Sequence, residues 1–148
     1  MTFESTEKIP RPEHPRPDWY REKWLNLNGS WRFAFDPHYQ GEHARWYRPE
    51  NDFAFEQRIV VPFPWESQLS GLARKDFLGA GWYRRELTVP REWAGQRIWL
   101  NFGAVDWHAR VWLNGRPIGE HEGGYAPFGL EISQFVRPGE TAELVVRA

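Results

Sequence analysis

The chain has 148 residues, a formal net charge of −1 and no cysteine, and it contains 10 Trp, 10 Phe and 5 Tyr. Without cysteine, a disulfide-stapled domain and a thiolate metal centre are both excluded. The balanced charge lacks the basic excess with which proteins displace counterions from nucleic acids, so no nucleic-acid partner is expected. Disordered chains are poor in aromatic residues, and this composition therefore predicts a globular domain.

The start of the chain has no export signal. Residues 1–8 lack the basic start and the apolar run that define a signal peptide. No stretch of the sequence approaches the roughly 18 consecutive apolar residues of a membrane-spanning helix. We therefore expect a cytoplasmic protein without a membrane partner.

The first predicted element is an extended arm over residues 1–18. Proline occurs four times in its second half, at Pro10, Pro12, Pro15 and Pro17. Because proline fixes φ and has no backbone N–H to donate, this density predicts an extended segment instead of a helix or a central strand. The domain itself is predicted to span residues 19–148.

Strands follow the arm along most of the remaining chain. Apolar and polar side chains alternate with a period of two, which is typical of half-buried strands. Residues 133–136 give the one helical signal, a single turn behind Ser133. Long loops at 37–52 and 62–81 are candidates for function. The predicted strands are, in order, 31–35, 55–61, 82–89, 98–102, 105–113, 116–121 and 141–148.

The clearest strand is 105–113. Its alternate side chains from Val105 to Leu113 are apolar and those between them are polar, with Trp112 as the exception. Asn114-Gly115 follows, and this pair predicts a tight hairpin turn because both residues tolerate positive φ. Several such strands separated by Gly, Pro and Asn predict an all-β sandwich. The last strand ends without a turn or a polar tail, so we expect the chain to continue past Ala148 as a fragment of a longer protein.

Three motifs in the second half of the chain form a recognisable set. They are GWYRRELTVP at 81–90, FGAVDWHARVWLNG at 102–115 and GEHEGGYAPF at 119–128. In this order and spacing they resemble the N-terminal sugar-binding domain of glycoside hydrolase family 2, which includes β-galactosidases, β-glucuronidases and β-mannosidases. Segments 27–33, 61–67 and 138–140 fit as well, and the resemblance covers residues 19–148.

The resemblance implies a jelly-roll, galactose-binding-like β-sandwich. It also implies a parent enzyme that hydrolyses terminal β-O-glycosidic bonds with retained configuration. The parent's two catalytic glutamates lie in a TIM barrel that follows an immunoglobulin-like domain. Both domains are missing partners here, so the isolated chain is expected to be inactive, with no catalytic residue, cofactor or metal. A carbohydrate is the expected ligand, and the resemblance leaves open whether the parent is a homo-oligomer.

The resemblance also points to two loops that contact the sugar, 66–81 and 120–128. His121, Glu122, Gly123, Gly124 and Tyr125 resemble the β-glucuronidase version of the second loop, and Trp65 and Glu66 adjoin the first. Both loops have a second interpretation, as segments that dock on the rest of the enzyme.

Other candidates have alternative structural roles. An apolar body with a polar tip suits Trp82, Trp107 and Trp112 to sugar stacking, and it suits them equally to the core of a sandwich. Asp106 and His108 share a strand face, either as an acid–base pair or as a polar surface. Arg84-Arg85 has two interpretations as well, recognition of a sugar acid and charge pairing within the sheet.

Three functions remain open at this point. The domain either supplies loops to the active-site mouth of a glycosidase, or binds carbohydrate autonomously, or serves only for interdomain or subunit docking. Coplanar exposed aromatics would favour the second function, and an exposed apolar patch would favour the third.

Overall fold

The structure, a computed structural model, describes residues 8–13 and 21–148. Most of the predicted arm, residues 1–7 and 14–18, lies outside the described residues. The chain forms two compact units: Met1–Trp31 with Arg58–Asp76, and Arg32–Gln57 with Phe77–Ala148. In the smaller unit, the carbonyl of Pro10 accepts a hydrogen bond from the Asn28 side chain over 3.1 Å.

Antiparallel strands dominate the structure. Within the described residues, the helices are short 3₁₀ segments, Pro49–Ala54, Gln68–Ser70 and Arg91–Trp93. None of these helices has the length and apolar character that crossing a bilayer demands. The strands are β1 (Gly29–Asp36), β2 (Gln57–Val61), β3 (Ala80–Thr88), β4 (Trp99–Phe102), β5 (His108–Leu113), β6 (Arg116–Glu122), β7 (Phe128–Glu131) and β8 (Thr141–Arg147).

Two sheets build the larger unit and confirm the predicted all-β sandwich. The strands β1, β3, β8, β5 and β6 lie side by side in that order, and β4 pairs with β7 in the second sheet. The last strand of the chain is therefore central, with β3 on one side and β5 on the other. The sheets meet where Gly119 of β6 lies against Leu130 of β7, because a Cβ at Gly119 would be 2.6 Å from a Leu130 methyl carbon.

The predicted hairpin is confirmed, and the strand before it is shorter than expected. Asn114 and Gly115 have φ values of +49° and +77°, as a tight turn between twisted strands requires. However, β5 begins only at His108, so residues 105–107 belong to the connection between β4 and β5. The alternation of apolar and polar side chains continues through residues 105–107, and the strand was therefore predicted to begin too early.

The other predicted elements differ in smaller ways. The strand expected from Phe55 begins at Gln57, since Phe55 ends the preceding 3₁₀ helix. Residues 132–135 form a hydrogen-bonded turn in which the Phe135 N–H donates to the Ile132 carbonyl over 2.8 Å. Ser133 accepts from the backbone of Ile98 through its hydroxyl, and the expected helical turn behind it does not form. Strand β7 was not predicted.

The segment between β1 and β2 covers one face of the main sheet. Its Tyr47 ring stacks on Trp112 at 5.2 Å and 6°, and Trp112 stacks on Trp82 at 5.3 Å and 20°. Trp46 packs edge-on against Trp82, and Phe55 joins the same buried cluster. Both faces of β3, β8 and β5 are therefore buried near the middle of the sheet.

Asp36, the last residue of β1, holds this covering segment in place. The side chain is buried, and it accepts hydrogen bonds from the backbone N–H groups of Gln40 and Gly41, each over 2.8 Å. It also accepts from Trp82 Nε1 over 3.1 Å. A Cβ at Gly41 would lie 2.5 Å from the Trp82 ring, so glycine is needed for this close approach.

We expect Asp36→Ala to lower the free energy of unfolding by about 3 kcal/mol, because it leaves two buried donors and one partly buried donor without their acceptor. The measurement is urea denaturation followed by tryptophan fluorescence. Asp76→Ala is the matched control, since the Asp76 side chain is 81% exposed and its loss should change stability by less than about 0.5 kcal/mol. Equal losses for the two variants would contradict the role given to Asp36.

Candidate functional site

The loop between β6 and β7 contains most of the residues predicted to contact a sugar. His121 and Glu122 are the last residues of β6, and the loop itself is 123–127. Gly123 has a φ of +122°, which side-chain residues rarely adopt. Its N–H donates to the carbonyl of Trp107 over 2.7 Å. The loop is thereby joined to the connection between β4 and β5.

Gly124 makes the second contact between these two segments. A Cβ added at this position would lie 2.6 Å from Asp106 Oδ1 and 3.1 Å from its Cγ. The two consecutive glycines therefore allow the loop to lie directly on Asp106 and Trp107. Tyr125, the next residue, is 99% exposed, and Trp107 is 62% exposed. Each of the two segments thus has an exposed aromatic side chain next to the place where the segments touch.

The His121 ring packs beneath the loop, where its Cε1 atom would lie 3.6 Å from a Cβ at Gly123. Its ring stacks on Phe128 at 4.3 Å and 11°, and Phe128 stacks on Phe102 at 4.6 Å and 12°. The Nδ1 atom of His121 is buried, without a hydrogen-bond partner among residues 8–13 and 21–148. In this chain, His121 belongs to a three-ring stack beneath the loop, and its predicted contact with a sugar stays a prediction.

Carboxylates surround the loop. Glu122 is exposed and lies opposite His108 in the β5–β6 register. Glu120, two residues earlier, places Oε2 3.4 Å from His108 Nε2, and Asp106 lies against Gly124. Asp106 and His108 therefore have separate neighbours, which agrees with the polar-surface interpretation of the pair. An acidic surface of this kind accepts hydrogen bonds from hydroxyl groups and repels another carboxylate.

Trp65 and Glu66 belong to the smaller unit. Trp65 is half-buried, and its carbonyl accepts a hydrogen bond from the Arg74 N–H over 2.8 Å. Glu66 is exposed, and Ser67 caps the 3₁₀ helix that follows by accepting from the Leu69 N–H. Their predicted contact with a sugar stays a prediction.

The aromatic candidates separate clearly by burial. Trp82 is 0% exposed and Trp112 is 3% exposed, so the suggestion that either stacks on a sugar is wrong. The segment between β1 and β2 covers both rings, as described above. Trp107 was expected on the inward face of a strand that begins at Val105. It is exposed, because β5 begins only at His108 and Trp107 lies in the connection before it.

Trp99 on β4 is an exposed aromatic that the sequence interpretation missed. It is 49% exposed, whereas its neighbour Leu100 is 6% exposed. The same period-two rule that placed Leu100 inside would have placed Trp99 outside.

Arg84 has a structural role. It is 2% exposed, and its Nη2 donates to the carbonyls of Arg48 and Pro49 over 2.9 and 3.2 Å. It also pairs with the Glu143 carboxylate and lies 5.0 Å from the centroid of the Phe55 ring. These contacts leave the guanidinium no access to a sugar acid, so that interpretation of Arg84 is wrong.

A second ion cluster lies on the same sheet. Arg110 of β5 and Arg147 of β8 are directly opposite each other, an arrangement that destabilises a sheet when the charges are unbalanced. Glu42 from the covering segment pairs with both, at 2.6 Å from Arg147 Nη1. This carboxylate offsets the repulsion and fixes the segment to the sheet.

A metal site is not formed by the described part of the chain. Among residues 8–13 and 21–148, no group of three or more His, Asp or Glu is arranged to hold a metal ion. His38 and His43, two histidines close together in the covering segment, belong to no such group.

The two antiparallel sheets define the class of the domain as an all-β sandwich. Its candidate site is the loop with the exposed Tyr125. Residues 24–148 match the family described as "Glycosyl hydrolases family 2, sugar binding domain". Because the match covers most of the sequence, the chain belongs to this family, as the motifs predicted.

Several relatives are β-glucuronidases. The β-glucuronidase of Paenibacillus borealis is 32% identical over 82% of this chain, and that of Felis catus is 35% identical over 87%. A β-glucuronidase structure from Ruminococcus gnavus, in complex with uronic deoxynojirimycin, has a TM-score of 0.73 and 33% identity over 83% of the chain. A β-glucuronidase from an uncultured Clostridium species has a TM-score of 0.73 at 32% identity over 84%.

The chain spans about a fifth of the length of these proteins. It covers 20% of the Paenibacillus relative and 21% of the Felis relative. The corresponding share is 21% for both the Ruminococcus and the Clostridium structures. The relatives are therefore much longer than the 148 residues of this sequence.

We expect Gly124→Ala to move Asp106 and Trp107, because the added methyl group would overlap the Asp106 carboxylate. Forcing extra volume into a close contact costs about 1 kcal/mol or more. The measurement is a comparison of amide NMR spectra. Gly103→Ala is the control, since a Cβ there meets nothing within 4 Å. Unchanged Asp106 and Trp107 signals in Gly124→Ala would contradict the contact.

Proposed function

We propose that this chain is a non-catalytic domain that helps to form the active-site mouth of a longer β-glycosidase. The proposal is carried by the contact at the tip of the loop between β6 and β7. There Gly123 donates a hydrogen bond to Trp107, Gly124 lies against Asp106, and Tyr125 is fully exposed. A loop fixed in this way presents an aromatic ring and hydroxyl without the entropy loss that a mobile loop would carry on binding.

The charge of the tip indicates which part of a sugar it meets. Glu120 is partly compensated by Arg110, whose Nε lies 3.6 Å from its Oε2. Asp106 and Glu122 are acidic and exposed, so they repel the carboxylate of a sugar acid. They suit hydroxyl groups of the substrate or of the group that leaves. In the proposed enzyme, recognition of an acidic sugar's carboxylate therefore belongs to residues outside this chain.

The proposed reaction is hydrolysis of a terminal β-O-glycosidic bond with retained configuration. Such a mechanism needs two carboxyl groups about 5–5.5 Å apart across the scissile bond. We place both in a barrel of the longer enzyme, which follows an immunoglobulin-like domain. A β-glucuronide is the favoured substrate because relatives of this chain are β-glucuronidases, and a cytoplasmic location is part of the proposal.

Interdomain docking is the second candidate function. It is favoured by exposed apolar side chains in loops, with Leu78 88% exposed and Phe53 66% exposed in the larger unit. Such groups are commonly buried when another domain covers them.

The purified 148-residue chain should not hydrolyse 4-nitrophenyl β-glucuronide, β-galactoside or β-mannoside. The expected result is release of 4-nitrophenol no faster than in buffer, with an intact β-glucuronidase as the positive control. Turnover that purifies with the chain would overturn the non-catalytic role.

In the longer enzyme, Tyr125→Ala should lower kcat/KM about tenfold, which corresponds to about 1.4 kcal/mol of lost transition-state binding. Tyr39→Ala is the control, because it removes another exposed tyrosine ring and should leave kcat/KM unchanged. If Tyr125→Ala lowers thermal stability and leaves kcat/KM intact, the docking function replaces the active-site role.

A further inference from the structure

The outer face of the β4–β7 sheet has a composition unlike that of its inner face. Leu100 pairs with Leu130 and Phe102 pairs with Phe128, and these side chains point inward. The alternate pairs, Trp99 with Glu131 and Asn101 with Gly129, lie on the opposite face, where all four residues are exposed. We call this outer face, together with Arg97, the Trp99 surface.

The Trp99 ring is held in position by charged neighbours. The Arg97 guanidinium lies 5.5 Å from the ring centroid, within the range of a cation–π contact. Arg97 donates two hydrogen bonds to the Glu131 carboxylate, over 3.2 and 2.8 Å, and Ser133 donates a third over 3.1 Å. The hydrogen bonds from Arg97 lower the pKa of Glu131, so the pair stays ionised at neutral pH.

Gly129 lets the Asn101 amide and the Trp99 indole lie against the backbone of β7. A Cβ at this position would lie 2.8 Å from Asn101 Oδ1 and 3.4 Å from Trp99 Cε3. A side chain at this position would therefore displace the Asn101 amide. Glycine holds the amide and the indole edge beside each other on the exposed face.

We propose that the Trp99 surface binds a neutral hexopyranose unit of a carbohydrate. The indole offers an apolar surface to the C–H groups of a sugar ring, and tryptophan is suited to sites that are apolar on one side and wet on the other. The Asn101 amide donates to and accepts from hydroxyl groups, and Glu131 accepts from them. This inference goes beyond the proposed role of the loop at Tyr125, since it concerns a different face of the domain.

The charge of the surface selects for a neutral sugar. Arg97 and Glu131 compensate each other through a two-bond ion pair. A sugar acid would have to compete with the Glu131 carboxylate for the guanidinium and would lie close to that carboxylate. A neutral ring meets no such opposition.

The composition of the surface also favours a sugar over a protein partner. A stable protein interface buries about 800 Å² on each partner and contains a cluster of apolar anchors. The Trp99 surface has one apolar side chain, flanked by an amide, a carboxylate and a guanidinium. One stacked ring with hydrogen bonds around it matches a single pyranose.

The test is a titration of the ¹⁵N-labelled 148-residue chain, followed by NMR through the Trp99 indole N–H signal and through the backbone amide signals of Asn101 and Glu131, which remain observable in Trp99→Ala. The ligands are methyl β-glucopyranoside, methyl β-galactopyranoside, cellotetraose and methyl β-glucuronide. We expect a saturable millimolar response to at least one neutral ligand and at least tenfold weaker binding of the glucuronide. Trp99→Ala should abolish the response, and Gly129→Ala should weaken it several-fold. Phe53→Ala, an exposed aromatic outside the surface, should leave the response unchanged.

Circular dichroism of each variant confirms that the sheets are intact before the titrations are compared. The proposal fails if no neutral ligand moves the Trp99 signal, or if Trp99→Ala binds as well as the unaltered chain. It also fails if the glucuronide binds as tightly as the neutral ligands. Light scattering provides a further arm, because loss of self-association in Trp99→Ala would make the surface a contact between copies of the chain.

Discussion

The buried carboxylate of Asp36 is the interaction on which the larger unit depends. It binds the backbone at Gln40 and Gly41 and the indole of Trp82, so it turns the chain back over the sheet that the chain has just left. Tyr47 then stacks on Trp112, and the sheet gains a second buried face. The ion pairs of Glu42, together with the hydrogen bonds from Arg84 to the carbonyls of Arg48 and Pro49, fasten the same segment further along. One face of the sheet would otherwise be exposed to solvent, and the covering segment buries it.

This covering segment explains what could be predicted from the sequence and what could not. Alternation identified β1, β3, β5 and β8 because each has a core-facing row with period two, and Asn114-Gly115 identified the hairpin because its backbone requirement is local. The burial of Trp112 depends on a segment some sixty residues away in the sequence. A pattern within one strand carries no information about such a cover, so Trp112 appeared to lie on a polar face.

The candidate site divides in the same way. The family motifs identified the loop that contains Gly123, Gly124 and Tyr125, and its exposure followed from its composition. The contact of Gly124 with Asp106 joins two connections between strands, and only the folded register brings them together. Trp99 could have been found from alternation alone, whereas the close approach of its indole and the Asn101 amide to β7 depends on Gly129 being the diagonal neighbour of Trp99 across the strand pair.

The central position of β8 has a consequence for synthesis of the protein. A ribosome releases β1 and β3 first and the β5–β6 hairpin later, and these pieces have no direct strand pairing with each other. Their joining strand, Thr141–Arg147, emerges last. Until then, β3 and β5 each present an unpaired edge, and open edges invite pairing with other chains. The nascent domain therefore completes its sheet in one late step, and chaperones have the most to protect just before that step.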